Sequence, residues 1–211
     1  MKSETGRKPG RPRTANSPDL ELAILDAAIE LFGDRGFDGV SLSQIAGQAG
    51  ADVGLTRYYF GSKADLWEAA IGRLAELFGT EMSKAKMPEA GSKTDNLKAV
   101  IRTFVEASAR WPQVSRIIVF DGNKADARGQ FIANRLVKPF YELLSKFIKD
   151  AKAEGSIPNV SDRTIFFMIT HGGSFPMALP ALTNEIPGGD INSAVGLTAH
   201  ADAIIALICD S

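Results

Sequence analysis

The chain has 211 residues, 45% of them apolar, and a formal net charge of -1, which is enough apolar material for a sizeable buried core. No run approaches the roughly 18 consecutive apolar residues of a membrane span, and the polar, basic N-terminus lacks the apolar stretch of a signal peptide. A cytoplasmic protein with no membrane partner is expected. A single cysteine, Cys209, excludes an internal disulfide, and two histidines, His171 and His200, form no cluster at metal-ligand spacing, so neither a metal nor a cofactor is expected.

The charge is unevenly placed. Residues 1–17 carry Lys2, Arg7, Lys8, Arg11 and Arg13 against Glu4 alone, leaving 19 basic and 24 acidic residues for the rest. This segment lacks aliphatic periodicity and is rich in Gly, Pro and charge, a composition that predicts a disordered arm. Within it Gly10-Arg11-Pro12-Arg13 is slim and extended, and Arg11 and Arg13 suit the narrow minor groove of A·T-rich DNA. The alternative is a solubilising tail. Beside a helix-turn-helix the arm is the better reading.

The first helix is expected from Ser17-Pro18-Asp19 to about Arg35, with a core face of Ala23, Ile24, Ala27, Ala28, Leu31 and Phe32. Ser41 caps a second helix over 42–49, and Gly50 supplies the turn. Asp52 caps a third over 53–59, too short to stand without neighbours. Ser62 caps a fourth from Lys63 to about Lys84. Two short helices joined by a tight turn fit a helix-turn-helix, whose second helix can enter a major groove about 12 Å wide.

The opening ILDAAIELFGDRGFDGVSLSQIA, the turn AGADVG and the closing YYFGSKADLWEAAI, in that order over residues 24–71, resemble the DNA-binding domain of the TetR family of bacterial transcriptional regulators. Thr56 stands where an aliphatic is usual in that family and Arg57 where a tyrosine is frequent. By family position and helix phase, Val53, Gly54, Leu55 and Arg57 would face the bases. Arg57 is the hydrogen-bonding reader, able to take guanine O6 and N7 together, and Leu55 would touch a thymine methyl. Tyr58 and Tyr59 would reach phosphate through their hydroxyls, Lys63 would hold another phosphate, and Ser41, Ser43 and Gln44 would anchor the second helix. Core packing is the competing role for both tyrosines and the preferred one for Phe60.

From Thr94 onward the pattern is wholly helical, with helices expected at 94–110, 113–121, 125–154, 162–183 and 191–209. The expected fold is therefore all-α with about nine helices: an arm (1–17), a three-helix helix-turn-helix domain (18–64) and a helical effector-binding and dimerisation domain (65–211). WPQVSRIIVFDG and LVKPFYELL also resemble one C-terminal subtype of the same family.

Aromatic side chains crowd this half: Phe104, Trp111, Phe120, Phe131, Phe140, Tyr141, Phe147, Phe166, Phe167 and Phe175, most of them core. Met168 to Met177 is the most suggestive place for a pocket, with Gly172, Gly173 and Pro176 interrupting an apolar helix and His171 beside them. Phe104, Trp111, Phe120, Met168, His171 and Phe175 are the candidate ligand residues. The other reading has the glycines allowing close helix packing and His171 as a satisfied core or interface residue. The last helix is apolar on more than one stripe, as a helix buried by its own domain and by a partner would be, so a homodimer through the last two helices is expected.

The expected function is a repressor that binds a near-palindromic double-stranded DNA operator and is released by a largely apolar small-molecule effector. His171-Gly-Gly-Ser174 superficially resembles an esterase oxyanion segment, but there is no G-x-S-x-G elbow, strand, GxGxxG or P-loop, and no catalytic residue is assigned. The alternative is a non-specific architectural DNA-binding protein, for which so large an apolar helical region has no use.

Overall fold

The structure, a computed structural model, describes residues 18–209. The expected arm, with Arg11 and Arg13, and the capping Ser17 lie outside the described residues. Among the described residues the secondary structure is entirely helical.

Helix α1 (Pro18–Arg35) buries Ile24, Ala28, Leu31 and Phe32. Helix α2 (Leu42–Ala49) opens on a capping box in which Ser41 Oγ accepts from the Gln44 amide and Gln44 Oε1 accepts from the Ser41 amide. It closes at Gly50, whose φ of 68° is the left-handed conformation the turn needs. Helix α3 (Val53–Phe60) is capped by Asp52, which accepts from the Leu55 amide at 2.7 Å. Helix α4 (Lys63–Met82) repeats the capping box with Ser62 and Asp65. Leu66, Trp67, Ala70, Ile71 and Leu74 of α4 close the core over α1–α3, and this core also takes in Ile117 and Ile132 from the C-terminal half.

Helices α5 (Lys93–Arg110), α6 (Gln113–Asp121), α7 (Ala127–Ile132), α8 (Lys138–Ala153), α9 (Asp162–Ala178), α10 (Pro180–Thr183) and α11 (Ala194–Cys209) form the remainder. A second core packs Leu97, Ile101 and Phe104 of α5 with Leu144 and Ile148 of α8, Ile165 and Ile169 of α9, and Ile205 of α11.

Two prolines account for the two breaks in the expected helices. Between α7 and α8 the chain makes a π turn, Ala133–Val137, in which the Lys138 amide donates to the Ala133 carbonyl five residues back. Pro139 cannot donate to the Arg135 carbonyl and its ring crowds that group, and the wider turn relieves the crowding. The expected helix 125–154 is thus α7 and α8 joined by this turn. The expected helix 162–183 breaks at Leu179 (φ -123°, ψ 57°), whose helical conformation Pro180 disfavours.

Pro176, by contrast, lies inside α9 without ending it, so the expected interruption at Gly172, Gly173 and Pro176 is corrected. Lacking its N–H, Pro176 leaves the Gly172 carbonyl without an intrahelical donor, and His200 of α11 meets that oxygen through Nε2 at 2.8 Å. Ile204 lies 3.0 Å from where a Gly172 Cβ would stand, and Phe104 3.2 Å from a Gly173 Cβ, so the glycines serve close helix packing.

Glu154, just past α8, reaches across to the first turn of α5, where its carboxylate accepts from the Lys93 and Thr94 amides at 2.8 and 3.0 Å and from the Thr94 hydroxyl at 3.1 Å. The Lys93 amide bond, followed by the bonds from Thr94, lowers its pKa below the ordinary 4.5. Because the folded value is depressed, the stabilisation is present above the unfolded pKa and is lost as pH falls through the folded one. Glu154→Gln is expected to lower the melting midpoint at pH 7. The difference from the natural chain should close on acidification below pH 4.5, measured by circular dichroism melts across that range.

Candidate nucleic-acid interface and apolar cavity

The turn at Gly50 and the cap at Asp52 set α3 against α1, α2 and α4 along one side only. Thr56 is the fully buried residue of α3, its hydroxyl donating to the Asp52 carbonyl at 3.0 Å. Where a larger aliphatic would fill space, this threonine ties the helix to its own cap. The opposite side presents Gly54, Arg57 and Tyr58, at spacing i, i+3 and i+4, to solvent. Tyr58 is 72% exposed, and Val53 and Leu55 flank the face half-buried, with Leu55 packed on the core.

Tyr59 departs from expectation. Its hydroxyl is inaccessible and has no hydrogen-bond partner, so the phosphate contact expected through this oxygen is not offered in this conformation. The ring packs on the core, between the edges of Tyr58 and Phe60. Lys63 holds its ammonium 4.3 Å above the Phe37 ring, whose other cation is Arg128 at 4.5 Å. The Ser62 and Asp65 amides at this helix start are already taken by the capping box, and the Ser62 hydroxyl and amide hold the Asp65 carboxyl below its ordinary pKa. Ser43 is exposed, while Ser41 and Gln44 are exposed but engaged with each other.

A cavity of about 530 Å³ lies between α4, α5, α6, the π turn, α8 and α9. Its wall is dominated by apolar and aromatic side chains, among them Phe78, Phe104, Phe140, Phe147, Phe166 and Phe175. The polar groups are few: Ser83, Ser108, Arg135, Thr170 and His171 border the space, Ser115 donates to Ser174 at 2.8 Å, and Ser174 in turn donates to the Thr170 carbonyl at 2.7 Å. Size and chemistry both match a small-molecule pocket.

Of the six candidate ligand residues, Phe104, His171 and Phe175 line this cavity. Trp111, Phe120 and Met168 do not. Trp111 packs into both cores. Phe120 is turned against Gly36, where it would stand 3.2 Å from a Cβ, and Met168 points to solvent, 56% exposed. Missed altogether were Arg135, Leu136, Val137 and Pro139. Three consecutive residues cannot share one face of a regular α-helix, and the π turn is what aims them together. The signal was Pro139, four residues after Arg135.

Helix α6 joins the two sites. Val114, Ser115, Ile118 and Val119 line the cavity. From the same helix Gln113 donates to Glu30 at 2.8 Å, and Arg116 bonds both Asp34 at 2.7 Å and the Ala178 carbonyl at 2.8 Å. Buried Asp121 accepts from the Phe37 amide at 3.1 Å, just beyond the end of α1. Gly33 permits the approach, since a Cβ there would lie 2.9 Å from Gln113 Cγ.

An exposed short helix set by a tight turn, joined through one helix to an apolar cavity, defines the class: a helix-turn-helix protein with a cavity-bearing helical bundle. Residues 24–70 match the family model described as bacterial regulatory proteins, tetR family. The chain is 32% identical over 102 residues to the HTH-type transcriptional regulator BetI of Rhizobium meliloti, covering 48% of this chain and 50% of that protein. It spans about half the length of the curated relatives it matches first. Among solved structures, AibR in complex with isovaleryl coenzyme A and operator DNA superposes with a TM-score of 0.71 at 19% identity, covering 90% of this chain and 98% of that one. FadR of Bacillus subtilis in complex with stearoyl-CoA superposes at 0.65 and 20%, covering 88% and 96%. Residues 24–70 thus form a domain of the tetR-family type, and the superposed structures extend the same fold over most of the chain. Among the described residues no helix is long and apolar enough to cross a membrane.

Thr170 half-buries on the cavity wall and its hydroxyl bond, to the Phe166 carbonyl, is internal to α9. Thr170→Trp is therefore expected to fill the space without unfolding the bundle. Binding of the apolar dye N-phenyl-1-naphthylamine should weaken by about tenfold or more, read by its fluorescence, with the circular dichroism spectrum retained.

Proposed function

We propose that the chain is a homodimeric transcriptional repressor that binds a near-palindromic DNA operator through α3 and is released by a small, largely apolar effector held in the cavity. The observation that carries this reading is α6, which lines the cavity with one face and grips α1 with the other. A ligand that favours one position of α6 shifts α1 and with it the reading helix, provided it prefers the state that does not bind DNA. Structures of this fold hold isovaleryl coenzyme A and stearoyl-CoA, whose acyl chains share the apolar chemistry of this cavity wall. In this division residues 18–64 read DNA and 65–211 sense and dimerise, with the arm 1–17 adding phosphate or minor-groove contacts, all in the cytoplasm.

On α3 the exposed Arg57 is the base reader and Tyr58 the phosphate contact, with Val53, Gly54 and Leu55 shaping the approach. Arg57→Ala should lower operator affinity by about tenfold and relax base preference, measured by fluorescence anisotropy on an operator selected from random DNA. Unchanged selectivity would remove Arg57 from the role. Lys63→Ala should weaken operator and unrelated DNA about equally.

For the dimer, the support is an outward apolar surface on α9 to α11: Met168, Phe175, Leu179 and Leu182, with Val195 and Leu207 of α11 81% and 70% exposed. Ala199, Ala203 and Ala206 are exposed beside them and allow close approach of a second helix. Leu207→Glu is expected to convert a dimer to a monomer in sedimentation velocity and to lower operator affinity with it.

A further inference from the structure

The cavity wall carries one permanently charged side chain, Arg135, and among the described residues no aspartate or glutamate lines it. Arg135 sits in the π turn, half-exposed at the edge of the cavity, between the apolar interior and solvent. Its guanidinium lies over α4: Nη2 is 3.4 Å from Glu76 Oε1, and 3.8 Å from the position of a Gly72 Cβ. A Cβ at 72 would only touch the guanidinium, and the bare glycine backbone leaves its seat against α4 open. Ala75 and Gly79, on the same helix as Glu76, line the cavity themselves.

We propose that Arg135 is the anion-recognition residue of the cavity: its ligand is an amphiphile whose apolar tail fills the aromatic interior and whose anionic head, carboxylate or phosphate, takes Arg135 from Glu76. The proposal rests on the reading of this cavity as the effector site. The wall chemistry selects the sign. A cationic ligand would find no carboxylate on the wall, since Glu76 lies outside the lining, whereas an anion gains a charge-assisted, two-pronged hydrogen bond at the rim of a poorly solvated site. The exchange is easy on the protein's side, because the Arg135–Glu76 pair is long and both side chains are at least half exposed, a setting in which ion pairs contribute little. It also has a direction. The pair ties the π turn to α4, and α4 continues into the core beneath α1–α3. Loss of Glu76 as partner frees that tie at the moment the head group binds.

The test uses the full chain and three probes of equal tail length, dodecanoate, dodecyl phosphate and dodecan-1-ol, below their micellar concentrations, by isothermal titration calorimetry. The natural chain is expected to bind at least one anionic probe about tenfold more tightly than the alcohol. The carboxylate and phosphate arms identify which head group is preferred. In Arg135→Gln the anion preference should fall to within about twofold while alcohol binding is retained, and Arg135→Lys should restore part of it. Glu76→Gln should tighten the anion by about two- to threefold and leave the alcohol unchanged. Equal binding of anions and alcohol by the natural chain, or a preference that survives Arg135→Gln, overturns the role of Arg135 and leaves the apolar cavity reading standing. Binding of none of the three overturns both.

Discussion

The packing of α6 against α1 is the constraint on which the rest of the structure depends. It is a close contact, made possible by Gly33, and it is fixed at both ends by polar bonds: Gln113 to Glu30 at the start, Asp121 to the Phe37 amide at the finish, and Arg116 between them. Such a contact is a poor place for gradual adjustment. A glycine-sized gap leaves no slack, and a buried carboxylate that accepts a backbone amide cannot lose it without a desolvation cost. In the proposed mechanism α6 therefore moves together with α1, and what sits on its other face acts at the helix-turn-helix.

That other face borders a cavity, one wall of which is shaped by a proline, and two further prolines act nearby. Each proline lacks the N–H that would donate to the carbonyl four residues before it, and each freed carbonyl is dealt with differently. At Pro139 the backbone widens into a π turn and turns Arg135, Leu136 and Val137 together toward the cavity. At Pro176 the helix continues and the freed Gly172 oxygen is met by His200, which fastens α11 to α9. At Pro180 the Thr183 hydroxyl donates to the Pro176 carbonyl at 2.8 Å, closing the end of α9 after the break. The same covalent restriction thus shapes the pocket, joins two helices of the expected dimer face, and ends a helix.

The N-terminal half was legible because its signals are local. Ser41, Asp52 and Ser62 cap the helices that follow them, and Gly50 takes the left-handed turn, all within a few residues of the side chains involved. On α3 Gly54 and Arg57 fall on the exposed face as expected, whereas Val53 and Leu55 are half-buried, Leu55 against the core. The place of Tyr59 was not legible, since an aromatic residue on a short helix can turn either way and the space beneath α3 decides. In the C-terminal half periodicity marked apolar faces but not which neighbour each face meets. Phe104, His171 and Phe175 reached the cavity, while Trp111 filled the space between two cores and Phe120 folded back on Gly36. Arg135 was invisible for a different reason: it lines the cavity together with Leu136 and Val137 through a change of helix pitch, and the proline that causes it stands one turn away.

Coupling between an apolar cavity and a pair of DNA-reading helices requires a change in the distance between the two helices. A nitroxide at Ser43, exposed on α2, in a chain with Cys209 replaced by Ala, reports the spacing of the two reading heads in a dimer by double electron–electron resonance. A defined distance is expected, which shifts when the cavity is filled with a saturating apolar ligand and does not shift in Thr170→Trp. An identical distance distribution with and without bound ligand, or no dipolar signal between copies, would contradict it.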